Sequence, residues 1–412
     1  MIMSRIKIKN IGPIKDGILN TDGWLDIKKV TVFIGNQGSG KSTIAKLIST
    51  LIWIEKVLTR GDFNEKEFTD VKFKNNYCGY HRINNYFIKN KTEISYEGNS
   101  YSFTYNTADK FIINKIEEGL NHYPLPQIMY VPAERNFISM VSNPNLIKQL
   151  PDSLLTFLSE YDNAKKEVKG TLHLPINQTD LEYNKQHDIV SIKGNDYKVR
   201  LSEASSGFQS VVPLYLVSWY LSESIKEQAR KSNKMSSDEA KRFEDGVKSI
   251  WNDKNLSDGQ RRIALSALSS RFNKSAFINI VEEPEQNLFP SSQYDIMQSL
   301  LSFNNSVDAN KLIITTHSPY LINDITLAVK AGTLKEQVQN NPALLKKLDS
   351  IYPIASSIRP NDIAIYELDE KEGSIRALEN YRGLPSDENY LNNMLEATNN
   401  KFADLLEFQQ GL

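Results

Sequence analysis

Two hydrophobic periods divide the chain. Ile6, Ile8 and Ile11 suggest a strand that ends at Gly12-Pro13, and residues 30–34 form a short β-branched run closed by Gly35. The period then changes: Ile44, Leu47, Ile48 and Leu51 fall at i, i+3, i+4 and i+7, which predicts a helix with one buried face. The order is strand, Gly-rich loop, helix.

Beyond residue 55 the chain turns polar and rich in Asn, with a hairpin predicted for 92–96 and 101–105 around Glu97-Gly98-Asn99-Ser100. We read residues 56–126 as an inserted α+β lobe, and 1–55 with 127–412 as the core. Within that core, 128–131 predicts a return to a central strand and 153–169 a helix. A second hairpin, 188–192 with 197–201, leads into Ser205-Ser206-Gly207. The helix expected after Gly207 is apolar on nearly every side through Leu221, with Pro213 an expected kink. Residues 222–262 read as an inserted basic helical segment, and 277–281 and 312–316 as two further buried strands.

Composition narrows the classes. With 412 residues, 40% hydrophobic and 24% charged, the chain is an ordinary globular sequence with room for two or three compact units or one large decorated one. The net charge of −1 gives no global pull on nucleic acid or membrane, so any polyanion site must be local. Residues 226–274 hold 12 basic and 7 acidic residues, which suits either a solvated helical insertion or a contact surface for DNA, RNA or an acidic partner. The single cysteine, Cys78, has no internal disulfide partner, and the longest apolar stretch, 211–221, is shorter than the ~20 residues that span a bilayer. The expected setting is the cytoplasm.

Four segments carry chemistry. Gly35-Asn36-Gln37-Gly38-Ser39-Gly40-Lys41-Ser42, followed by Thr43, fits G-x-x-x-x-G-K-[ST] at every fixed position. Glycines let backbone N–H groups curl around phosphates, Lys41 reaches the β- and γ-phosphates, and Ser42 holds Mg²⁺. ATP and Mg²⁺ are therefore the expected ligands. The second segment ends the 277–281 strand with Glu282-Glu283-Pro284, a Walker B arrangement in which Glu282 supports the metal and Glu283 acts as general base. Third, His317 follows the next strand and is placed to sense a γ-phosphate. Last, Ser205, Ser206 and Gly207 open a helix and offer a second anion site far in sequence from the first. Two copies arranged head to tail would each close this turn over the nucleotide held by the other.

P-loop, signature, Glu-Glu-Pro and histidine, in that order, resemble the ABC-type ATPase heads of the SMC, RecF and OLD families. Finer wording, Ile11-Gly-Pro13, Tyr130-Val-Pro-Ala-Glu-Arg135, Val281-Glu-Glu-Pro-Glu-Gln-Asn-Leu288 and Thr315-Thr-His-Ser-Pro319, is similar to the stand-alone OLD-like ATPases of bacterial anti-phage operons. The ATPases of the PARIS and Septu systems are similar in kind. The resemblance implies an α/β P-loop ATPase head with a mixed central sheet, an antiparallel edge and inserted lobes. It implies ATP hydrolysis, a homodimer or a higher assembly of dimers, and a separate effector, a nuclease or toxin, that the ATPase regulates. DNA repair or DNA binding of the RecF type, with DNA as partner, is the alternative. The sequence departs from the family at Glu282, where Asp is usual, and at Phe208-Gln209 after the signature glycine. In place of a Q-loop glutamine it has Glu134, Arg135 or Asn136. The Gln286-Asn287 pair resembles a D-loop, and Asp362, Asp369 and Glu370 read as an exposed acidic edge, not a nuclease centre.

Overall fold

The computed structural model describes residues 4–18, 22–117, 123–141, 149–231, 237–253, 255–269, 275–381 and 383–410. Its centre is a seven-stranded mixed sheet. From one edge the order is Pro126–Val131, Ala276–Glu282, Lys311–Thr316, Val30–Gly35, Ile363–Leu368, Ser374–Ala377 and Gly17–Ile18. The first five strands are parallel, and Ser374–Ala377 turns antiparallel to them and pairs with the edge strand Gly17–Ile18. Val30–Gly35 and Ala276–Glu282 are buried at every position, as strands covered on both faces must be. The mixed α/β class expected from the sequence is the class observed.

Register decides where the site lies. Thr315 pairs with both Glu282 and Phe33, Thr316 with Ile34, Val281 with Val131, and Leu368 with Gly35. Five carboxyl ends therefore finish at one level, the edge of a parallel sheet where ligands bind.

The helix after the P-loop, Lys41–Arg60, is more deeply enclosed than its sequence stripe predicts. Ile44, Leu47, Ile48 and Leu51 are buried, and so are the polar Ser49, Thr50, Glu55 and Lys56 on the other faces. The reason is a second sheet. Trp24–Ile27, Ser4–Lys9, Glu93–Glu97, Tyr101–Tyr105 and Phe111–Lys115 form a five-stranded antiparallel layer, and the helix shares one core with both sheets. Two of the buried polar side chains find partners in segment 56–126: Glu55 accepts from the Tyr96 hydroxyl and the Ser100 N–H, both at 2.8 Å, and Ser49 Oγ lies 3.1 Å from a ring nitrogen of His81. The strands of segment 56–126 thus pair with the amino-terminal strand Ser4–Lys9. Cys78 is fully buried in the shared core, and burial pushes its thiol well above the ordinary range.

A four-stranded antiparallel sheet, Thr171–His173, Asp180–Asn184, Ile189–Lys193 and Lys198–Arg200, leads into the long helix Ser206–Lys231. That helix runs unbroken through Pro213. Proline has no N–H to give the Gln209 carbonyl four residues back, and the Ser139 hydroxyl donates to it instead at 2.9 Å. The same helix continues past residue 222 to Lys231. Helices Ser237–Asn252 and Asp258–Ser269 follow it.

Not every cation of this basic segment faces solvent. Arg262 is 6% exposed and lies over the rings of Tyr80 (3.7 Å) and Trp53 (4.4 Å), and Trp251 Nε1 donates to Asp62 O at 3.1 Å. Among the described residues, no helix is long and apolar enough to cross a membrane.

Candidate nucleotide site

The P-loop joins Val30–Gly35 to the helix at Lys41, and its glycines meet two separate demands. Gly35 has φ +144°, and a Cβ there would stand 2.4 Å from the Leu368 carbonyl oxygen. Gly40, at φ +103°, would put a Cβ 2.8 Å from Ile14 Cγ1. The Lys41 ammonium donates to the carbonyls of Gly35 (2.8 Å) and Asn36 (2.7 Å). Burial lowers its pKa, while Glu283, Glu285, Glu370 and Glu282 oppose that shift. Asn36, Gln37 and Gly38 are exposed at the tip of the loop, Ser39 and Thr43 are buried, and Ser42 is half-buried in the first helical turn.

Glu370, read from sequence as part of an exposed acidic edge, is tied to this loop. Its carboxylate accepts from Asn36 Nδ2 at 3.0 Å, a contact that holds its pKa down.

The two Walker B carboxylates have different surroundings. Glu282 is 3% exposed; Oε2 accepts from the Ala133 N–H at 3.3 Å, while Oε1 is buried without a partner. Such an orphaned oxygen is costly unless something binds it. It is an oxygen donor of the kind that Mg²⁺ takes, as is the Ser42 hydroxyl. Glu283 has a left-handed backbone, φ +45°, fixed by its N–H to Thr315 O (2.9 Å) and its carbonyl to Arg135 Nη2 (2.7 Å). That bend turns its carboxylate toward His317, with Oε1 and Nε2 3.3 Å apart.

The contact with His317 lowers the Glu283 pKa against its desolvation, and the contact with Glu283 raises that of His317. The sign of the linkage follows. Glu283 contributes stability above its ordinary 4.5 that is lost as pH falls through its depressed value. His317 contributes below its ordinary 6.5 and loses that contribution as pH rises through its raised value. We expect the Tm of the parent, scanned from about pH 3 to about pH 9, to exceed that of His317→Gln most between those two ordinary values. A constant difference across the range would exclude the ion pair as its source.

Two further residues brace the site, Glu285, which has no role in the sequence reading, and Arg135, which enters it only as one of three residues in place of a Q-loop glutamine. Glu285 Oε1 accepts from Thr316 Oγ1 (2.7 Å) and from the His317 N–H (2.9 Å), so it fixes the backbone that presents the histidine; burial raises its pKa. Its clue was its place in Glu-Glu-Pro-Glu, two residues beyond the proposed base. Arg135 is completely buried. It reaches Ser210 O (3.1 Å), Glu282 O (2.7 Å) and Glu283 O (2.7 Å), and burial lowers its pKa to about 10.

The signature turn sits apart from the P-loop. Ser205 and Ser206 are exposed, and a Cβ on Gly207 would lie 3.0 Å from Asn287 O of the D-loop-like pair. Ser210 Oγ donates to Gln286 Oε1 at 3.2 Å. Among the described residues, no hydrogen bond or ion pair links Ser205, Ser206 or Gly207 to residues 35–43 of the same chain. The fold gathers Lys41, Ser42, Glu282, Glu283 and His317 at one sheet edge and leaves the signature turn facing outward.

Residues 139–323 match the family described as "AAA domain, putative AbiEii toxin, Type IV TA system". The matched span is less than half the chain and holds the signature turn, both Walker B carboxylates and His317, but not the P-loop. No curated protein matches the sequence. Among solved structures, the chain is similar to the SMC head domain from Thermotoga maritima, at 11% identity and a TM-score of 0.39, over 92% of this chain and 100% of that one. An Smc head with an extended coiled coil, bound to the C-terminal domain of ScpA derived from Pyrococcus furiosus, aligns at 10% identity and a TM-score of 0.36, covering 91% and 95%. A nucleotide-free ATP-binding cassette from an ABC transporter aligns at 12% identity and a TM-score of 0.33, over 93% of each chain.

Proposed function

We propose that the chain is an ATPase whose working pockets form between two copies, and that it acts as the sensor and regulator of a partner effector, a nuclease or toxin, in anti-phage defence. The observation that carries the pairing is the outward-facing signature turn. It has the small residues and helix-start N–H groups of an anion site, yet among the described residues no hydrogen bond or ion pair joins it to its own P-loop. A second copy, turned head to tail, supplies the missing triphosphate.

In the reaction, water attacks the γ-phosphorus, the bond to the β-γ bridging oxygen breaks, and ADP and phosphate leave. Lys41 holds the phosphates and Glu283 takes the proton from the attacking water. His317 orients Glu283 and, in this reading, senses the γ-phosphate. Mg²⁺ bound by Ser42 and Glu282 would offset phosphate charge.

Sizing the protein over a range of dilutions with and without Mg-ATP tests the pairing. ATP-dependent doubling of mass is expected; a monomer that hydrolyses ATP at full rate at every dilution would exclude a shared pocket. The defence reading is supported by the motif wording and by the toxin–antitoxin description of the matching family. Phage plating on cells that express the chain with its genomic neighbours tests it: restriction lost on Lys41→Ala upholds the reading, and unchanged plating overturns it.

A further inference from the structure

The turn after Pro126–Val131 contacts two elements that the shared pocket requires to act together. Arg135, with no exposed surface, donates to Pro132 O of its own turn (3.4 Å) and spreads its guanidinium over three backbone carbonyls of other elements: Ser210 in the signature helix, and Glu282 and Glu283 at the strand end. Ser139, from the same turn, caps the Gln209 carbonyl that Pro213 leaves without an N–H. The signature helix is thus held at two successive carbonyls by residues of one turn, and one of those residues also holds the left-handed peptide of Glu283.

A planar fork of five donors can bridge three carbonyls; an ammonium cannot match that geometry. Buried charge of this kind is expensive, and the three carbonyls are what it has in return. Separate packing of each element would need no such group.

We infer that Arg135 is a positioning residue that relays the state of the signature turn to Glu283. The inference rests on the shared-pocket reading. When the turn of one copy closes on the triphosphate held by its partner, any displacement of Ser210 moves the guanidinium, and with it the carbonyl that sets where Glu283 points. One pocket then senses whether the other is loaded. A misplacement of about 1 Å at a reacting group costs on the order of 10²-fold in rate, so a small shift suffices.

The test measures turnover against ATP concentration, together with ATP affinity and ATP-driven pairing, for the parent, Arg135→Lys and Ser139→Ala. The parent is expected to show a Hill coefficient well above 1. Arg135→Lys should lower kcat by roughly 10²-fold and bring the coefficient to about 1, with ATP affinity and pairing retained. Ser139→Ala removes one neutral hydrogen bond, keeps the arginine in place should the lysine variant fail to fold, and should lower kcat by about 3- to 10-fold with a reduced coefficient. A lower kcat in both variants with the coefficient unchanged would mean that Arg135 merely supports the fold, and would overturn the relay. If the parent does not pair on ATP, the shared pocket itself fails and the relay falls with it, a result visible by sizing before any variant is made.

Discussion

Replacing Glu283 with glutamine lowers ATP turnover by about 10²- to 10⁴-fold and leaves ATP affinity within a few-fold of the parent, the range expected when a general base is removed. The substitution changes one oxygen to an amide of nearly the same size. The bent peptide stays in place, because Thr315 and Arg135 hold the backbone N–H and carbonyl of residue 283, not its side chain. What is lost is the acceptor for the proton of the attacking water. With chemistry blocked and binding intact, the ATP-bound pair should accumulate, so size measured with Mg-ATP should shift further toward the pair than in the parent. Equal and negligible turnover in parent and variant would point instead to a scaffold in which ATP only holds the copies together.

Lys41→Ala should weaken ATP binding by about 10²-fold or more, read by titration with a fluorescent nucleotide. Hydrogen bonds to a charged group contribute roughly 1.5–3 kcal/mol each, and the ammonium is the cation set within the loop proposed to cradle the phosphates. Its loss has a second cost. Glu282, Glu283, Glu285 and Glu370 all act on Lys41 electrostatically, so the alanine variant presents their combined negative field to an anionic ligand without the cation that answers it. A dissociation constant within threefold of the parent would place the triphosphate somewhere other than this loop.

The parts of the molecule that were legible from sequence are those whose cause is local. A β-branched run, a glycine and a 3.6-residue stripe specify strand, loop and helix with no reference to the rest of the chain, and Val30–Gly35 with Lys41–Arg60 follow them closely. The second sheet was harder to foresee, because Glu93–Glu97 takes its partner from the amino terminus, as in the Arg5–Glu97 contact across 92 positions. Arg135 shows the same limit at the site: three of its four partners lie 75, 147 and 148 positions away, and nothing in Ala133-Glu134-Arg135-Asn136 tells which charged side chain turns inward. Glu370 meets Asn36 across 334 positions. Within the basic segment, composition counted Arg262 among surface cations, whereas two aromatic rings of the amino-terminal half enclose it. Charge counts record how many cations there are and not where each one points.

Cys78 has a practical bearing on these experiments. A lone thiol sealed in the interior and kept protonated offers maleimide dyes no native target. Met140 is 56% exposed, one residue beyond Ser139, and Met140→Cys would accept a dye there without any need to strip the parent of cysteine. Donor- and acceptor-labelled batches, mixed and given nucleotide, would then report by energy transfer when two subunits meet and how quickly they part.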